Sequence, residues 1–219
     1  MNIPLSPRLK TCCQFLTPGS RVADVGTDHG YLGIWLLTQG LASSVIASDI
    51  GEGPLSAAKA NAQRFSCQDK MEFCLSDGVQ DIPRDFDELV IAGMGAQTMI
   101  HILSAAPWLP GRKLVLQPQN KPWLLRAWLT ENGWHIRRET LVRDGRFLYA
   151  VMEAVHEPSE KLTPGQCWLP PVLLSCGHEG VEEYKARTLS VLQNTVQGDP
   201  SFFSALKELT EGDNHGNCK

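Results

Sequence analysis

Carboxylates and glycines follow several short apolar segments, and this pattern predicts chemistry more clearly than any other in the chain. Asp24 lies in a short apolar run, and a turn with the spacing Gly26-x-x-x-Gly30 comes directly after it. Asp49 closes a second apolar run, and Asp77 follows a third. The carboxyl ends of parallel strands meet at one edge of a sheet, where ligands bind. Each acid alone is typical of a turn cap, but the three together predict one binding site.

The glycine spacing discriminates between cofactors. The Gly-x-Gly-x-x-Gly fingerprint that holds a pyrophosphate needs a glycine at position 28, where this chain has Asp28. An NAD-binding site is therefore disfavoured. A turn that need not hold an anion suits S-adenosylmethionine, with Asp49 accepting from the ribose hydroxyls and Asp77 accepting from the adenine amino group.

Strand and helix patterns alternate through the first two thirds of the chain. The sequence predicts strands at 21–25, 44–49, 71–75, 88–92 and 113–117, and helices at 7–16, 30–38, 54–64, 97–105 and 121–132. Two further β-like runs, 134–142 and 147–155, flank Asp144-Gly145, a strong hairpin signal. Repeated βα units followed by a hairpin predict an α/β fold, the Rossmann-like class I S-adenosylmethionine-dependent methyltransferase sheet ending in an antiparallel hairpin.

The remainder of the chain predicts a small C-terminal helical segment. Prolines and glycines between 156 and 179 indicate a linker, and amphipathic patterns predict helices at 179–196 and 201–209. The expected domains are a methyltransferase domain at 1–156 and a linker with a helical hairpin at 157–219.

The net charge and the cysteine spacing argue against several classes of protein. The net charge of −4 disfavours a protein that coats nucleic acid indiscriminately. Between Arg112 and Arg146, however, the sequence has eight Lys/Arg and three acids, which indicates either a phosphate-binding patch or a solvated hairpin face.

The cysteines lack Cys-x-x-Cys spacing, and Cys167, Cys176 and His178 lack a fourth ligand, so we expect reduced thiols and no metal. Neither a signal peptide nor a long apolar run is visible, so we expect a cytoplasmic protein.

Five segments carry a family resemblance. Residues 23–32, ADVGTDHGYL, resemble the first motif of the bacterial tRNA (adenine(22)-N(1))-methyltransferase (TrmK) family. The segments EGPL at 52–55, SDG at 76–78, IAGMG at 91–95 and LQP at 116–118 with Asn120 agree with it. The chain departs from many members in having Gly95-Ala96 where they have Gly-Gly, and its C-terminal helices look short.

The resemblance implies methyl transfer from S-adenosylmethionine to N1 of an adenine in the D-arm region of tRNA. The predicted cofactor-binding residues are Asp24, Gly26, Thr27, Asp28, His29, Asp49, Ile50, Asp77, Gly78, Ala92, Gly93 and Met94. Asp28, His29 and Tyr31 are predicted catalytic residues, although packing and turn capping explain them equally well. The predicted tRNA contacts are Arg8, Gln117, Asn120, Lys121, Arg126, Arg137 and Arg138.

Several alternatives stay open on the residues alone. A methyltransferase acting on another RNA site or on a small molecule keeps the same pocket. A non-catalytic cofactor-binding or RNA-binding module is a third possibility. The expected partner is tRNA, with no membrane and no metal, and a monomer is favoured.

Overall fold

The computed structural model describes residues 3–211, and its strands form one seven-stranded sheet. The strands are β1 Ser20–Val25, β2 Ala42–Asp49, β3 Met71–Leu75, β4 Glu88–Met94, β5 Lys113–Pro118, β6 Trp134–Asp144 and β7 Phe147–His156. Their order is β3-β2-β1-β4-β5-β7-β6. β1 to β5 are parallel, and β7 runs antiparallel between β5 and β6. The predicted class I methyltransferase fold is confirmed.

The helices cover both faces of this sheet. They are α1 Pro7–Cys13, α2 Tyr31–Thr38, α3 Glu52–Arg64, α4 Ala96–Ser104, α5 Pro122–Glu131, α6 Pro164–Trp168, α7 Pro171–Leu174, α8 Val181–Gly198 and α9 Phe203–Glu211. Short 3-10 helices occur at Gln68–Lys70 and Pro200–Phe202. In the part of the chain that the structure describes, no helix combines the length and the apolar character needed to span a membrane.

Two apolar clusters lie on opposite faces of the sheet because successive strand residues point to opposite sides. In β4, Leu89 and Ile91 pack into one cluster with α4 and α5, whereas Val90 packs into the other with α1, α2 and α3. Strands buried on both faces explain why these segments are continuously apolar. The carboxyl ends of β1, β2 and β4 remain uncovered, and they face the site described below.

The segment expected to be an irregular linker contains two helices. α6 and α7 both start with a proline at the first helical position, and Thr163 and Gln166 form a capping box at the start of α6. Proline is compatible with that position because the N–H it lacks has no partner within the helix. Trp168 and Leu173 are almost completely buried, so this segment contributes to the core. The prediction of a non-regular linker was wrong, while residues 212–219 of the predicted second domain lie outside the described part.

Candidate active site

A cleft of about 380 Å³ opens at the carboxyl ends of β1, β2 and β4. Most of the predicted site residues line it together. The lining residues are Ser6, Arg8, Leu9, Asp24, Gly26, Thr27, Asp28, His29, Tyr31, Leu32, Asp49, Ala92, Gly93, Met94, Gln117 and Gln119.

The turn between β1 and α2 forms one wall of the cleft. The N–H groups of Gly26 and Thr27 both donate to the carbonyl of Ser48, 2.9 Å away, which ties the turn to the end of β2. Gly26 has φ +76°, and a Cβ there would lie 2.2 Å from Cε of Met94. A side chain at position 26 would therefore strain the backbone and would have to push aside the end of the Met94 side chain.

Asp24 is buried at the base of this turn. Its side chain is only 4% exposed, and Oδ2 accepts a hydrogen bond of 2.7 Å from the hydroxyl of Thr27. Burial raises the pKa of Asp24 to about 6; the Thr27 hydroxyl opposes this rise and the charge of Asp49 adds to it. A buried carboxylate that ionises close to neutral pH is poised to respond to a cationic ligand group.

Backbone amides hold the carboxylate of Asp49 in a fixed orientation. Oδ1 accepts from the N–H of Gly51 at 3.0 Å, and Oδ2 accepts from the N–H of Asp28 at 3.1 Å. Each carboxylate oxygen can accept further hydrogen bonds, so both remain able to receive a donor pair from a ligand. The Asp28 contact also joins the ends of β1 and β2 into one rim.

The rim of the cleft carries three polar or aromatic side chains. Asp28 and His29 are exposed, with 3.6 Å between Oδ1 of Asp28 and Nε2 of His29. The rings of His29 and Tyr31 are 5.8 Å apart. The amide of Asn61 on α3 donates to the carbonyl of His29 at 3.0 Å, which fixes the backbone of the rim. These groups are accessible to a molecule entering the cleft.

Gln117 connects the β4 turn to α1. Its Oε1 accepts from the N–H of Gly93 at 3.2 Å and lies 3.5 Å from a guanidinium nitrogen of Arg8. Arg8 also donates to Asp144 at 2.7 Å. Gln117 is fully buried and shapes the Gly93 turn, whereas the ion pair with Asp144 is the shorter contact that positions Arg8 at the cleft.

Several predicted cofactor and tRNA contacts lie outside the cleft. Asp77 and Gly78 follow β3, next to Asp49 in the row of strand ends, because the N–H of Ser76 donates to the carbonyl of Asp49. Ile50 is 72% exposed beyond the end of β2. Asn120 and Lys121 line a neighbouring cleft between β5 and α5.

Arg126 is buried, and its prediction as a tRNA contact is wrong. Its side chain is fully inaccessible and pairs with Glu139 at 2.6 Å. Burial opposes the charge of Arg126, yet the adjacent Glu139 and Tyr184 raise the pKa of its guanidinium above the usual range. A cation enclosed in this way cannot reach a phosphate.

Arg137 and Arg138 lie far from the cleft. They precede Asp144, at the cleft end of β6, by six to seven residues, which corresponds to roughly 20 Å along a strand. Arg137 pairs with Glu157, and Arg138 pairs with Glu153 at 3.3 Å. A contact between these residues and RNA stays a prediction.

Sequence reasoning missed part of the cleft wall. Ser6 and Leu9 line it because α1 packs over the edge of the sheet, and Gln119 lines it from the loop after β5. The ring of Tyr149 lies 4.9 Å from the guanidinium carbon of Arg8. Apart from the helix start at Ser6-Pro7, no local pattern indicates these positions, because tertiary packing brings them to the site.

Comparisons with known proteins agree with this geometry. A family model described as a methyltransferase domain matches residues 5–152. A tRNA (adenine(22)-N(1))-methyltransferase of Bacillus subtilis is 31% identical over 156 residues, covering 70% of this chain and 66% of that protein. A putative tRNA methyltransferase of Mycoplasma genitalium is 34% identical over 163 residues, covering 70% and 71%.

A solved structure agrees over nearly the full length. It is a putative tRNA (m1A22) methyltransferase of Streptococcus pneumoniae in complex with S-adenosyl-L-methionine, with a TM-score of 0.83 and 25% identity. The match covers 94% of this chain and 98% of that one. It therefore includes the C-terminal helices, whereas the curated relatives match over about two thirds of their own lengths. The chain belongs to the TrmK family of tRNA (adenine(22)-N(1))-methyltransferases.

Proposed function

We propose that this protein transfers a methyl group from S-adenosylmethionine to N1 of the adenine at position 22 of tRNA. The observation that carries the proposal is the cleft at the ends of β1, β2 and β4. It combines an oriented carboxylate, Asp49, with the exposed polar rim of Asp28 and His29. The family to which the chain belongs supports the choice of substrate.

The residues of the cleft fit S-adenosylmethionine. Separate backbone amides fix the orientation of the Asp49 carboxylate, and its two oxygens can each accept from one hydroxyl of a ribose diol. Asp24 and the turn at Gly26 suit the cationic methionine part, which needs a carboxylate and close approach to the backbone. We further assign Ile50, Asp77 and Gly78 to the adenine side, since they continue the row of strand ends beyond Asp49.

Methyl transfer to N1 does not require the protein to remove a proton first. When bound, S-adenosylmethionine supplies a methyl group on a positively charged sulfur. N1 of neutral adenine has a lone pair, so the cleft mainly aligns this atom and excludes water. The methylated ring is cationic; the Asp28 carboxylate can stabilise that charge or accept a proton from N6.

The acceptor adenine must be unpaired to reach the cleft. Its N1 edge is hidden in a stacked or paired base, so the base has to be flipped out of its helix. Tyr31 and His29 form an aromatic rim on which such a base can stack. Arg8, which pairs with Asp144 and lies 3.5 Å from Gln117, places a guanidinium next to this opening.

The remaining expectations are also part of the proposal. The enzyme acts as a cytoplasmic monomer without a metal ion, and its partner is tRNA. We assign residues 1–156 to the catalytic domain, and in the second predicted domain, 157–219, helices α6 to α9 pack on it.

Transfer of labelled methyl groups tests the function. Unmodified tRNA is incubated with the protein and labelled S-adenosylmethionine, beside the same tRNA with adenine 22 changed to guanine. We expect incorporation into the first tRNA only. Equal incorporation into both would favour the second candidate, a methyltransferase for another RNA site, and binding of the cofactor without incorporation would contradict catalysis on tRNA.

A further inference from the structure

A second cleft adjoins the first. It has a volume of about 230 Å³ and lies between the loop after β5, strand β7 and helix α8. Gln119 lines both clefts. Tyr149 lines the second cleft, and its ring lies beside the guanidinium of Arg8, which lines the first. A chain that leaves the first cleft past Gln119 therefore enters the second.

The second cleft combines aromatic rings with cations. Trp123 and Tyr149 line it, together with Lys121 and Arg187. Trp123 stacks on Trp168 at 3.9 Å, and its buried Nε1 has no hydrogen-bond acceptor among the described residues. Lys121 adopts a left-handed backbone conformation, with φ 46°, which is rare for a residue with a side chain and is often retained at functional sites. Rings and cations side by side are typical of sites for single-stranded nucleic acid.

An exposed aromatic residue holds two cations next to this cleft. Phe147 is 41% exposed, and the guanidinium carbons of Arg146 and Arg187 lie 4.9 Å and 5.9 Å from its ring centroid. Within residues 3–211, neither arginine forms an ion pair, whereas Arg143 on the same hairpin pairs with Glu183 at 2.5 Å. Both arginines are exposed at the surface, where an anion can approach them, and only Arg187 also interacts with the charge of Glu183 one turn earlier on α8.

We propose that the second cleft binds the RNA nucleotide next to the target adenosine. The base enters the cleft between Tyr149 and Trp123, and the phosphate contacts Arg187 and Lys121. Phe147 acts as a positioning residue that holds Arg187 toward the RNA. This proposal rests on the proposed function, because the same RNA strand must place its target adenine in the first cleft.

Two substitutions on the exposed cluster test the proposal in the full-length protein. Arg187→Gln removes the cation, and Phe147→Ala removes the ring that positions it; both side chains are exposed, so the fold is retained. Phe147→Tyr keeps a ring. The matched control is Arg84→Gln, because Arg84 is an exposed arginine 4.8 Å from the ring of Trp108 just before β4, at the opposite end of the sheet.

The readouts are KM for unmodified tRNA, the salt dependence of tRNA affinity, and the Kd for S-adenosylmethionine. We expect Arg187→Gln and Phe147→Ala to raise KM for tRNA about tenfold. Arg187→Gln also lowers the slope of log affinity against log salt by about one, as loss of one phosphate contact requires. Phe147→Tyr and Arg84→Gln keep KM within about twofold of wild type, and S-adenosylmethionine binding is unchanged in all four variants.

A tRNA with an abasic site on one side of the target adenosine tests the base contact directly. We expect KM to rise about tenfold for one of the two neighbouring positions and not for an abasic site in the anticodon loop. Normal methylation by the wild type, with unchanged KM in Arg187→Gln and Phe147→Ala, would overturn the nucleotide site and leave the proposed function intact. Failure of the wild type to methylate tRNA would contradict both the proposed function and the nucleotide site.

Discussion

The buried carboxylate of Asp24 suits a cationic ligand group, but its charge lowers the stability of the free protein. Burial raises the pKa of its carboxyl to about 6 from an ordinary value of 3.8. The folded state therefore binds more protons than the unfolded state between these values, and the free energy of unfolding falls as the pH rises through this range. The charged carboxylate is retained at neutral pH at a cost to stability.

We predict that Asp24→Asn stabilises the free protein and weakens the binding of S-adenosylmethionine. At pH 7.5 the free energy of unfolding should rise by about 1–3 kcal/mol, because the buried charge is removed while the amide oxygen still accepts from Thr27. At pH 4 the difference from wild type should be smaller. Denaturant unfolding at both pH values measures it, and a destabilised variant at pH 7.5 would contradict the account.

Substitutions of Asp49 and Asp28 should have different effects: one on cofactor affinity and the other on kcat. Asp49→Ala removes the carboxylate that we assign to the ribose, and we expect the Kd for S-adenosylmethionine to rise at least about tenfold. The exposed acid Asp85, which precedes β4, provides the control: Asp85→Ala should leave this Kd unchanged. Isothermal titration of the three proteins decides the assignment.

Asp28→Ala should instead lower kcat by roughly 10- to 100-fold while changing the Kd for S-adenosylmethionine little. Its backbone N–H, and not its side chain, contacts Asp49, so that contact survives the substitution. Single-turnover methylation of tRNA measures the chemical step. Full turnover in this variant would show that the side chain handles no proton.

At the scale of elements, one buried cation connects four of them. Arg126 on α5 pairs with Glu139 on β6, donates to the carbonyls of Cys167 and Trp168 around α6, and lies 3.3 Å from the hydroxyl of Tyr184 on α8. Trp168 and Leu192 extend this junction as an apolar cluster with Ala205 of α9. The polar network fixes how the C-terminal helices sit on the hairpin.

We predict that Arg126→Met destabilises the protein by about 3–5 kcal/mol, because Glu139 then remains buried without a counter-charge. The double variant Arg126→Met/Glu139→Leu should recover most of that loss, since the unpaired charge is also removed. Tyr184→Phe should cost about 1 kcal/mol. Unfolding in urea measures all three, and a double variant no more stable than Arg126→Met would contradict the explanation.

At the scale of the whole molecule, the C-terminal helices complete the core. Leu141 and Leu148 of the hairpin are buried against Leu169 and Leu173. We predict that a chain ending at residue 156 is poorly soluble and lacks a cooperative unfolding transition. The apolar surface loses its cover, and Arg126 keeps Glu139 but loses the carbonyls of α6 and the hydroxyl of Tyr184. Calorimetry of the truncated and full chains checks this, and equal transition temperatures would show that residues 1–156 fold independently.

The charges of the hairpin region show why surface electrostatics need the tertiary structure. The segment from Arg112 to Arg146 has an excess of five positive charges. Carboxylates from other parts of the chain pair with several of them: Lys113 with Glu88, Arg138 with Glu153, Arg143 with Glu183. Arg146, by contrast, has no carboxylate partner among the described residues. It lies beside the ring of Phe147 together with Arg187, which is 41 residues away in the sequence.

The sequence by itself determined the order of strands and helices up to the hairpin, the hairpin itself, and the row of acids that begins at Asp24 and Asp49. These depend on local periodicity, on glycine at the β1–α2 turn, and on the rule that parallel strands end at one edge. Only the tertiary structure decided that Arg126 is buried, that α1 lines the cleft, and that a second cleft lies beside Tyr149. The physical reason is that burial and charge pairing depend on neighbours distant in the chain, which no local pattern of residues specifies.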